Sequence, residues 1–394
     1  MRNMEKTEFH DILKRRHQVS PMDLERRRKV VRSLMERRGI DLLLIQSVGN
    51  FMGGYIRYLT DYQTSFEVST LLFPIEGEMT LIGHRPPPPQ PIRMFYDIKD
   101  WRGPPLNSSL SFTEDAKIVA KAVKERKPSV IGLVGFPIAS VVFYEYLLKE
   151  NPTAQIIDAT DVLHEAMMIK SEEEIKLIKE SAAVVDIGFE AALRAIKPGR
   201  KEYEVMADVQ HAVLLAGSEA QLLGFASTPP NIPCFMRMAD TWTRTIKDGD
   251  VCTIMIECSG PGGYFTQIGR HICVGKVPKE LEEAFNLAKE VQCEIARILR
   301  PGISMRECCD KFNEISKGAG IITGAGIGHG QGLNILEKPI MLPDEIIKAE
   351  SNVNMAIHPS VIIDKTYAWI CDNYLITETG AKRLHKTPQE IFVV

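Results

Sequence analysis

The chain has 394 residues, of which 25% are charged and 44% hydrophobic, and its formal net charge is −3. That composition suits a globular protein of two domains and excludes the basic field of a dedicated nucleic-acid binder. No apolar run approaches the ~18 residues of a membrane span, and the start, Met1 to His17, lacks a signal peptide's apolar stretch, so the cytoplasm is expected and no membrane partner.

Asp23 to Arg38 reads as a charged helix with Val30, Val31, Leu34 and Met35 on its apolar face. The cluster Arg26, Arg27, Arg28, Lys29 has acidic neighbours and reads as a solvated helix face. Asp41–Ile45, Ser69–Phe73 and Met79–Ile82 read as strands, with Glu76-Gly77 turning the last two into a hairpin. Pro86 to Pro89 cannot donate to a sheet ladder and reads as an exposed or interface loop. Helices are expected over 112–127 and 137–149, and strands over 129–134 and 154–158. The first part, residues 1–168, is therefore an α/β domain.

The second part, residues 169–394, opens on Ser171-Glu-Glu-Glu174, a capping box, followed by Ile175, Ile178, Ala182, Val185 and Phe189 at helical spacing. A repeat runs through it. Helix, Ile196-Lys-Pro-Gly199, helix, Gly217 is followed by helix, Leu299-Arg-Pro-Gly302, helix, Gly318. Two such copies build a pseudo-symmetric α+β domain with a site between them. The eight cysteines all lie at or beyond Cys234, and their spacing fits neither a secreted framework nor a zinc knuckle. The adjacent Cys308 and Cys309 read as buried thiols or as a vicinal redox pair.

Four segments carry chemistry. An apolar strand from Val251 ends at Glu257, and a glycine-rich turn leads to a second strand bearing Gln267 and Arg270. Glu257 is either a placed carboxylate or a solvated strand end. His329 stands in the glycine run Gly324–Gly332, where glycine allows close approach of backbone to a ligand. No Lys-Ser/Thr follows, so this is not a phosphate-binding loop. His358 ends an apolar strand before Pro359, and Cys371-Asp372 interrupts another.

The order of these segments resembles the family of methionine aminopeptidase, prolidase, aminopeptidase P and creatinase. Lys170-Ser171-Glu-Glu-Glu174-Ile175 matches that family's entry helix, and Gly328-His329-Gly330-Gln331-Gly332-Leu333 its Gly-His-Gly-x-Gly-Leu segment. The resemblance implies a pita-bread catalytic domain with internal pseudo-twofold duplication, behind a creatinase-type N-terminal α/β domain.

The metallopeptidases of that family hold two metal ions with two Asp, one His and two Glu. Carried over to this chain, those positions hold Glu257, Gln267, His329, His358 and Cys371. The family's second His is Leu336. A neutral Gln is a poor bridging ligand, so no dinuclear centre and no cofactor is expected. A single ion on His329, His358, Glu257 and Asp372 or Cys371 remains open.

The metal-free resemblance is to creatinase. It implies C–N bond hydrolysis in a small, zwitterionic substrate, with His329, His358, Glu257 and Asp372 as catalytic groups. Both histidines have an intrinsic pKa suited to acid–base work near neutrality. Gln267, Arg270, Cys371 and Cys234 are the expected substrate contacts. Arg270 is either a carboxylate clamp or a structural ion pair, and Cys234 either a nucleophile or an inert thiol. The loop Ser227–Met236 lacks the His that creatinase and prolidases carry there. The resemblance also implies a homodimer in which one N-terminal domain covers the partner's site through Tyr55 and Arg57, unless these merely pack. The alternatives are a metal-dependent Xaa-Pro peptidase-like hydrolase or lyase with a rebuilt site, and a non-catalytic binding relative.

Overall fold

The computed structural model describes residues 19–49, 54–64, 68–88, 96–105, 113–238, 243–322 and 326–394. The readings of the chain start, of Phe51–Gly53, of Pro89 and of Gly324 lie outside the described residues. The chain divides into two compact units, Met1–Met167 and Met168–Val394. No described helix is long and apolar enough to cross a membrane.

In the first unit, helix α1 (Pro21–Arg38) starts at Ser20, whose Oγ accepts from the Asp23 N–H at 3.1 Å. It stops at Gly39, whose φ of +64° favours glycine. The described strands are β1 (Leu42–Val48), β2 (Val68–Pro74), β3 (Thr80–Ile82), β4 (Asp100–Arg102), β5 (Val130–Val134) and β6 (Gln155–Asp158). They form one sheet in the order β4-β3-β2-β1-β5-β6. β1 runs antiparallel to β2, with Leu44 opposite Leu72, and parallel to β5. Helices α2 (Gly54–Thr60), α3 (Thr113–Arg126), α4 (Val141–Glu150) and α5 (Thr160–Met168) complete the unit. Leu42, Leu44, Leu72, Leu133, Val119 and Phe143 share a core cluster, which drives the layering.

Two local readings change. The segment read as a helix from 137 is a short 3-10 turn, and α4 begins only after the Ser140 cap. The basic cluster on α1 is not solvated throughout. Arg27 is fully buried and donates to Asp23 and to the Tyr58 carbonyl, while Arg28 donates to the Leu59 carbonyl and pairs with Asp97. The Tyr58 and Leu59 carbonyls at the end of α2 draw these guanidinium groups inward.

In the second unit, α6 (Glu172–Ala195) carries the reciprocal capping box of Ser171 and Glu174. Then come α7 (Glu202–Leu215), β7 (Ala220–Thr228), β8 (Arg237–Met238), β9 (Val251–Ser259) and β10 (Phe265–Cys273). The second half repeats the plan with α8 (Lys279–Ile298), α9 (Met305–Ser316), β11 (Gly320–Ile321), β12 (Gly328–Gly330), β13 (Glu337–Ile340) and β14 (Asn354–Ile357). After these come β15 (Ser360–Ile363), β16 (Thr366–Trp369), β17 (Asp372–Thr377), β18 (Gly380–Arg383) and β19 (Phe392–Val393). The two main sheets, β19-β10-β9-β7-β8 and β13-β12-β14-β17-β18, share the inner order β10-β9-β7 and β17-β14-β12.

The duplication extends to single hydrogen bonds. Gly199 and Gly302 both take a positive φ, +88° and +94°, to turn between helices. The Gly199 N–H donates to Ile246, and the Gly302 N–H to Ala349, each at 2.9 Å. Lys201 bridges to Thr245 as Ser304 does to Lys348. Ala226 stands opposite Thr253 as His329 stands opposite Ala356.

Strand alternation splits each sheet into a helix-facing side and a site-facing side. Cys252, Ile254, Ile256 and Cys258 pack with Val185, Phe189 and Val209 of α6 and α7. Residues 253, 255 and 257 therefore lie on the opposite side. The sheets meet at a backbone bridge between Gly269 and Cys371. The Trp369 ring lies so close over Gly269 that a Cβ there would sit 1.9 Å from it.

Candidate active site

The antiparallel register of β9 and β10 sets Glu257 directly opposite Gln267. Directly opposed residues share a face, so both side chains leave the hairpin on the same side. In the second half, β12 inserts between β13 and β14 and carries His329 at its centre. The flanking glycines serve this insertion. A Cβ on Gly328 would lie 2.7 Å from the Ala356 carbonyl oxygen, and one on Gly330 would lie 2.4 Å from that of Lys338. The close approach read from the glycine run is thus to neighbouring strands.

His358 follows β14 directly, and its N–H donates to the Ile327 carbonyl at 2.8 Å. The His329 and His358 rings stand 5.1 Å apart between centroids, tilted by 57°. His329 Nδ1 lies 2.9 Å from the Gly330 carbonyl oxygen, which only accepts. Nδ1 therefore carries the proton, and Nε2 of the neutral ring presents a lone pair. His358 Nε2 is buried with no hydrogen-bond partner among the described residues.

Burial decides the charge states here. It pulls His358 down to about 3, with a smaller contribution from His329. It also lowers His329, against the opposing bond to Gly330. The near-neutral values expected from isolated imidazoles are corrected on this point, because the apolar surroundings disfavour the charged ring. Burial raises Glu257 to about 8, only partly offset by the Gln331 amide that donates to Oε1 at 2.5 Å. Burial thus favours the neutral acid form of Glu257 at pH 7. The Cys371 thiol is pushed well above its usual value, first by burial and then by Asp372.

An amide network that sequence reasoning missed surrounds these groups. Gln331 Oε1 accepts from Asn373 Nδ2 at 2.9 Å, and Asn373 Nδ2 also reaches Asn354 Oδ1 at 3.1 Å. Asn354 Nδ2 donates to the Gln331 carbonyl at 3.0 Å, and Asn373 Oδ1 accepts from the Gln267 N–H at 2.7 Å. Its signal was present. Asn354 and Asn373 interrupt apolar strands, and buried polar groups of that kind seek partners.

Other expected site residues are placed elsewhere. Arg270 is fully buried and spends its donors on Asp372, the carbonyls of Gly269 and Cys371, and that of Pro388. It is a structural ion pair and does not face a substrate carboxylate. Asp372, also fully buried, is held through Oδ1 by Arg270 at 2.8 Å and Arg383 at 3.1 Å, while its buried Oδ2 has no hydrogen-bond partner among the described residues. Cys234 donates to the Val251 and Ala226 carbonyls and packs with Phe285 and Ala288, with its thiol pKa raised by burial. That is an inert thiol. Tyr55 and Arg57 lie on α2 in the first unit, both buried, with the Tyr55 hydroxyl 2.8 Å from His164 Nε2.

The five positions that the resemblance gives to metal ligands do not fit a two-metal centre. The amide of Gln267 donates to Cys371 Sγ at 2.9 Å, so two of the five are neutral and bonded to each other. Only Glu257 of the five positions is a carboxyl, and both carboxylates supplied by the family's Glu positions are gone. Divalent ions bridged by oxygen anions find no such bridge. Among the described residues, no group of three or more His, Cys, Asp or Glu is arranged to hold a metal ion.

The glycine-rich segment is anchored from below. Lys170 Nζ pairs with Glu337 Oε2 at 2.7 Å, both side chains buried, and Glu337 Oε1 accepts the Asn334 N–H at 3.1 Å. A Cβ on Gly332 would strike that carboxylate at 2.5 Å.

Comparison with known proteins agrees with this architecture. The model of metallopeptidase family M24 matches residues 176–378. An Xaa-Pro dipeptidase of Pyrococcus furiosus is 31% identical over 276 residues, 68% of this chain and 76% of the relative. The prolidase structure from Pyrococcus horikoshii matches with a TM-score of 0.77 at 24% identity, over 93% of this chain and 99% of the other. An X-Pro aminopeptidase from Thermotoga maritima matches at 0.78 and 22% identity, over 93% and 99%. The fold is therefore the pita-bread architecture behind an N-terminal α/β domain. On the match to more than half of its length, this chain belongs to metallopeptidase family M24.

Proposed function

We propose that this hydrolase cleaves a C–N bond of a small substrate by acid–base catalysis without a metal ion. The observation that carries the reading is the histidine pair: two neutral rings 5.1 Å apart, one with a buried Nε2 that has no partner among the described residues. A buried polar atom without a partner is costly, and such an atom is expected where a ligand completes it. His358 Nε2 takes a proton from water, and the hydroxyl oxygen attacks the carbon. Glu257 gives its proton to the leaving nitrogen as the C–N bond breaks. His329, fixed by Gly330, accepts a hydrogen bond from the water or the substrate through Nε2. The low pKa of His358 is offset during reaction by the negative charge growing on the attacked group beside it.

With Arg270 engaged, the basis for a zwitterionic substrate falls away, and a neutral amide, ureido or amidine group suits the neutral lining. A homodimer, with the N-terminal unit over the partner's site, belongs to the same proposal and is checked by solution mass.

A second reading rests on the 31% identity to an Xaa-Pro dipeptidase: metal-dependent cleavage of Xaa-Pro dipeptides. One experiment separates the two. Hydrolysis of small amides, ureido compounds, amidines and Xaa-Pro dipeptides is followed with and without a chelator, alongside metal analysis. Turnover that survives chelation supports the metal-free reading. Dipeptide cleavage that needs added metal overturns it.

A further inference from the structure

Residues 384–387, just after β18, form a strap between the two halves of the catalytic unit. The Leu384 N–H prolongs the β17–β18 ladder by donating to the Asn373 carbonyl at 2.9 Å. The chain then turns to α6 in the first half. The Lys386 and Thr387 N–H groups donate to the Asp186 carboxylate at 2.8 and 3.2 Å, and the Thr387 hydroxyl donates to it at 2.6 Å. Burial alone would raise the Asp186 carboxyl, but His385 and these donors outweigh it and hold the group below the usual carboxylate range. Asp186 thus fixes the backbone that carries His385.

The His385 side chain is buried between two acceptors. Its Nδ1 lies 3.6 Å from Asp186 Oδ1, and its Nε2 lies 3.5 Å from Asn373 Oδ1. The sense of the Asn373 amide is set by its other partners. Oδ1 accepts the Gln267 N–H, and Nδ2 donates to Gln331 Oε1 and Asn354 Oδ1. An amide oxygen only accepts, so His385 Nε2 carries the proton in that contact. Gln331, oriented by Asn373, donates in turn to Glu257 Oε1 at 2.5 Å. In a buried chain of this kind each link settles the sense of the next. The His385–Asn373 contact is at the long end of a hydrogen bond, so its loss should tell on placement more than on stability.

We propose that His385, anchored by Asp186, is a positioning residue for Glu257. It fixes the Asn373 amide, Asn373 sets Gln331, and Gln331 holds the carboxyl that gives up its proton. The inference rests on Glu257 being the acid of the proposed reaction.

Two measurements on the full chain test it. Long-range proton–nitrogen NMR reads the protonation of both ring nitrogens in the nine histidines, and the His385 signals are those missing in His385→Gln. A proton on His385 Nε2 at neutral pH is expected. A bare Nε2 overturns the inference, and this reading on the wild type stands even if His385→Ala fails to fold. The second measurement compares His385→Ala with His385→Gln, whose side-chain N–H can still serve Asn373 Oδ1. On a small amide that the wild type hydrolyses, His385→Ala should lower kcat roughly tenfold with KM held within about twofold, and His385→Gln should restore most of the loss. An unchanged kcat in His385→Ala, a loss carried by KM, or a loss that Gln does not restore overturns the positioning role. If the wild type hydrolyses nothing, the proposed reaction fails by itself, and solvent exchange of the Gln331 side-chain amide decides. Faster exchange in His385→Ala with the wild-type rate in His385→Gln supports the inference. One rate in all three proteins overturns it.

Discussion

The side-chain amide of Gln267 donates to the sulfur of Cys371 at 2.9 Å, joining the two halves of the catalytic unit across their central seam. A neutral donor and a protonated thiol satisfy each other where charged oxygen ligands would be needed. Dialysis against Mn²⁺, Co²⁺ or Zn²⁺ followed by metal analysis should therefore leave substoichiometric metal. Two retained equivalents per chain would refute the ligand assignment.

Glu257 and His358 set the pH behaviour. In the proposed reaction Glu257 acts in its protonated form, so activity should fall as pH rises through about 8. It should not fall across the ordinary histidine range, because His358 stays neutral down to about 3. Stability follows with definite signs. The raised Glu257 contributes stability that is full below about 4.3 and is lost as pH rises through about 8. The depressed His358 contributes stability present above about 6.5 and lost as pH falls toward about 3. Glu257→Gln should abolish the first trend in denaturation curves, and should lower kcat by roughly 10²–10⁴.

Arg270 distinguishes a scaffold from a clamp. Arg270→Met leaves Asp372 buried without its main partner and should cost about 3–5 kcal/mol in denaturant unfolding. A raised KM at unchanged stability would instead restore the substrate-clamp role.

Lys170 and Glu337 make a similar but separate test. Lys170→Met strands a buried carboxylate beside Gly332 and should destabilise by about 3–5 kcal/mol. The double variant Lys170→Met/Glu337→Met should recover part of that loss. If the two single changes simply add, the pair is not coupled.

The sequence made the scaffold legible because local signals were strong. The Ser171–Glu174 box, the two Pro-Gly turns and the apolar run into Glu257 each depend on neighbours within a few residues. What resisted reading was the choice of distant partners. Arg270 satisfies itself on Cys371, Asp372 and Pro388, all about a hundred residues away, and no local pattern announces that. Arg27 and Arg28 were misread for the same reason, since the carbonyls that bury them belong to another helix. Charge states failed with them. An imidazole at a strand end has an ordinary pKa until the strands above it exclude water.

The matched hydrogen bonds of the two halves give this molecule an experimental control inside its own chain. Gly199→Ala and Gly302→Ala impose the same backbone misfit on the same turn. Any difference between their unfolding energies reports what surrounds each copy, with chemistry and geometry already cancelled. The same holds where the copies have parted. By the shared strand register, His329 occupies the station that Ala226 holds in the first half. Placing a histidine at Ala226 would ask how much of imidazole behaviour belongs to the station and how much to the company it keeps.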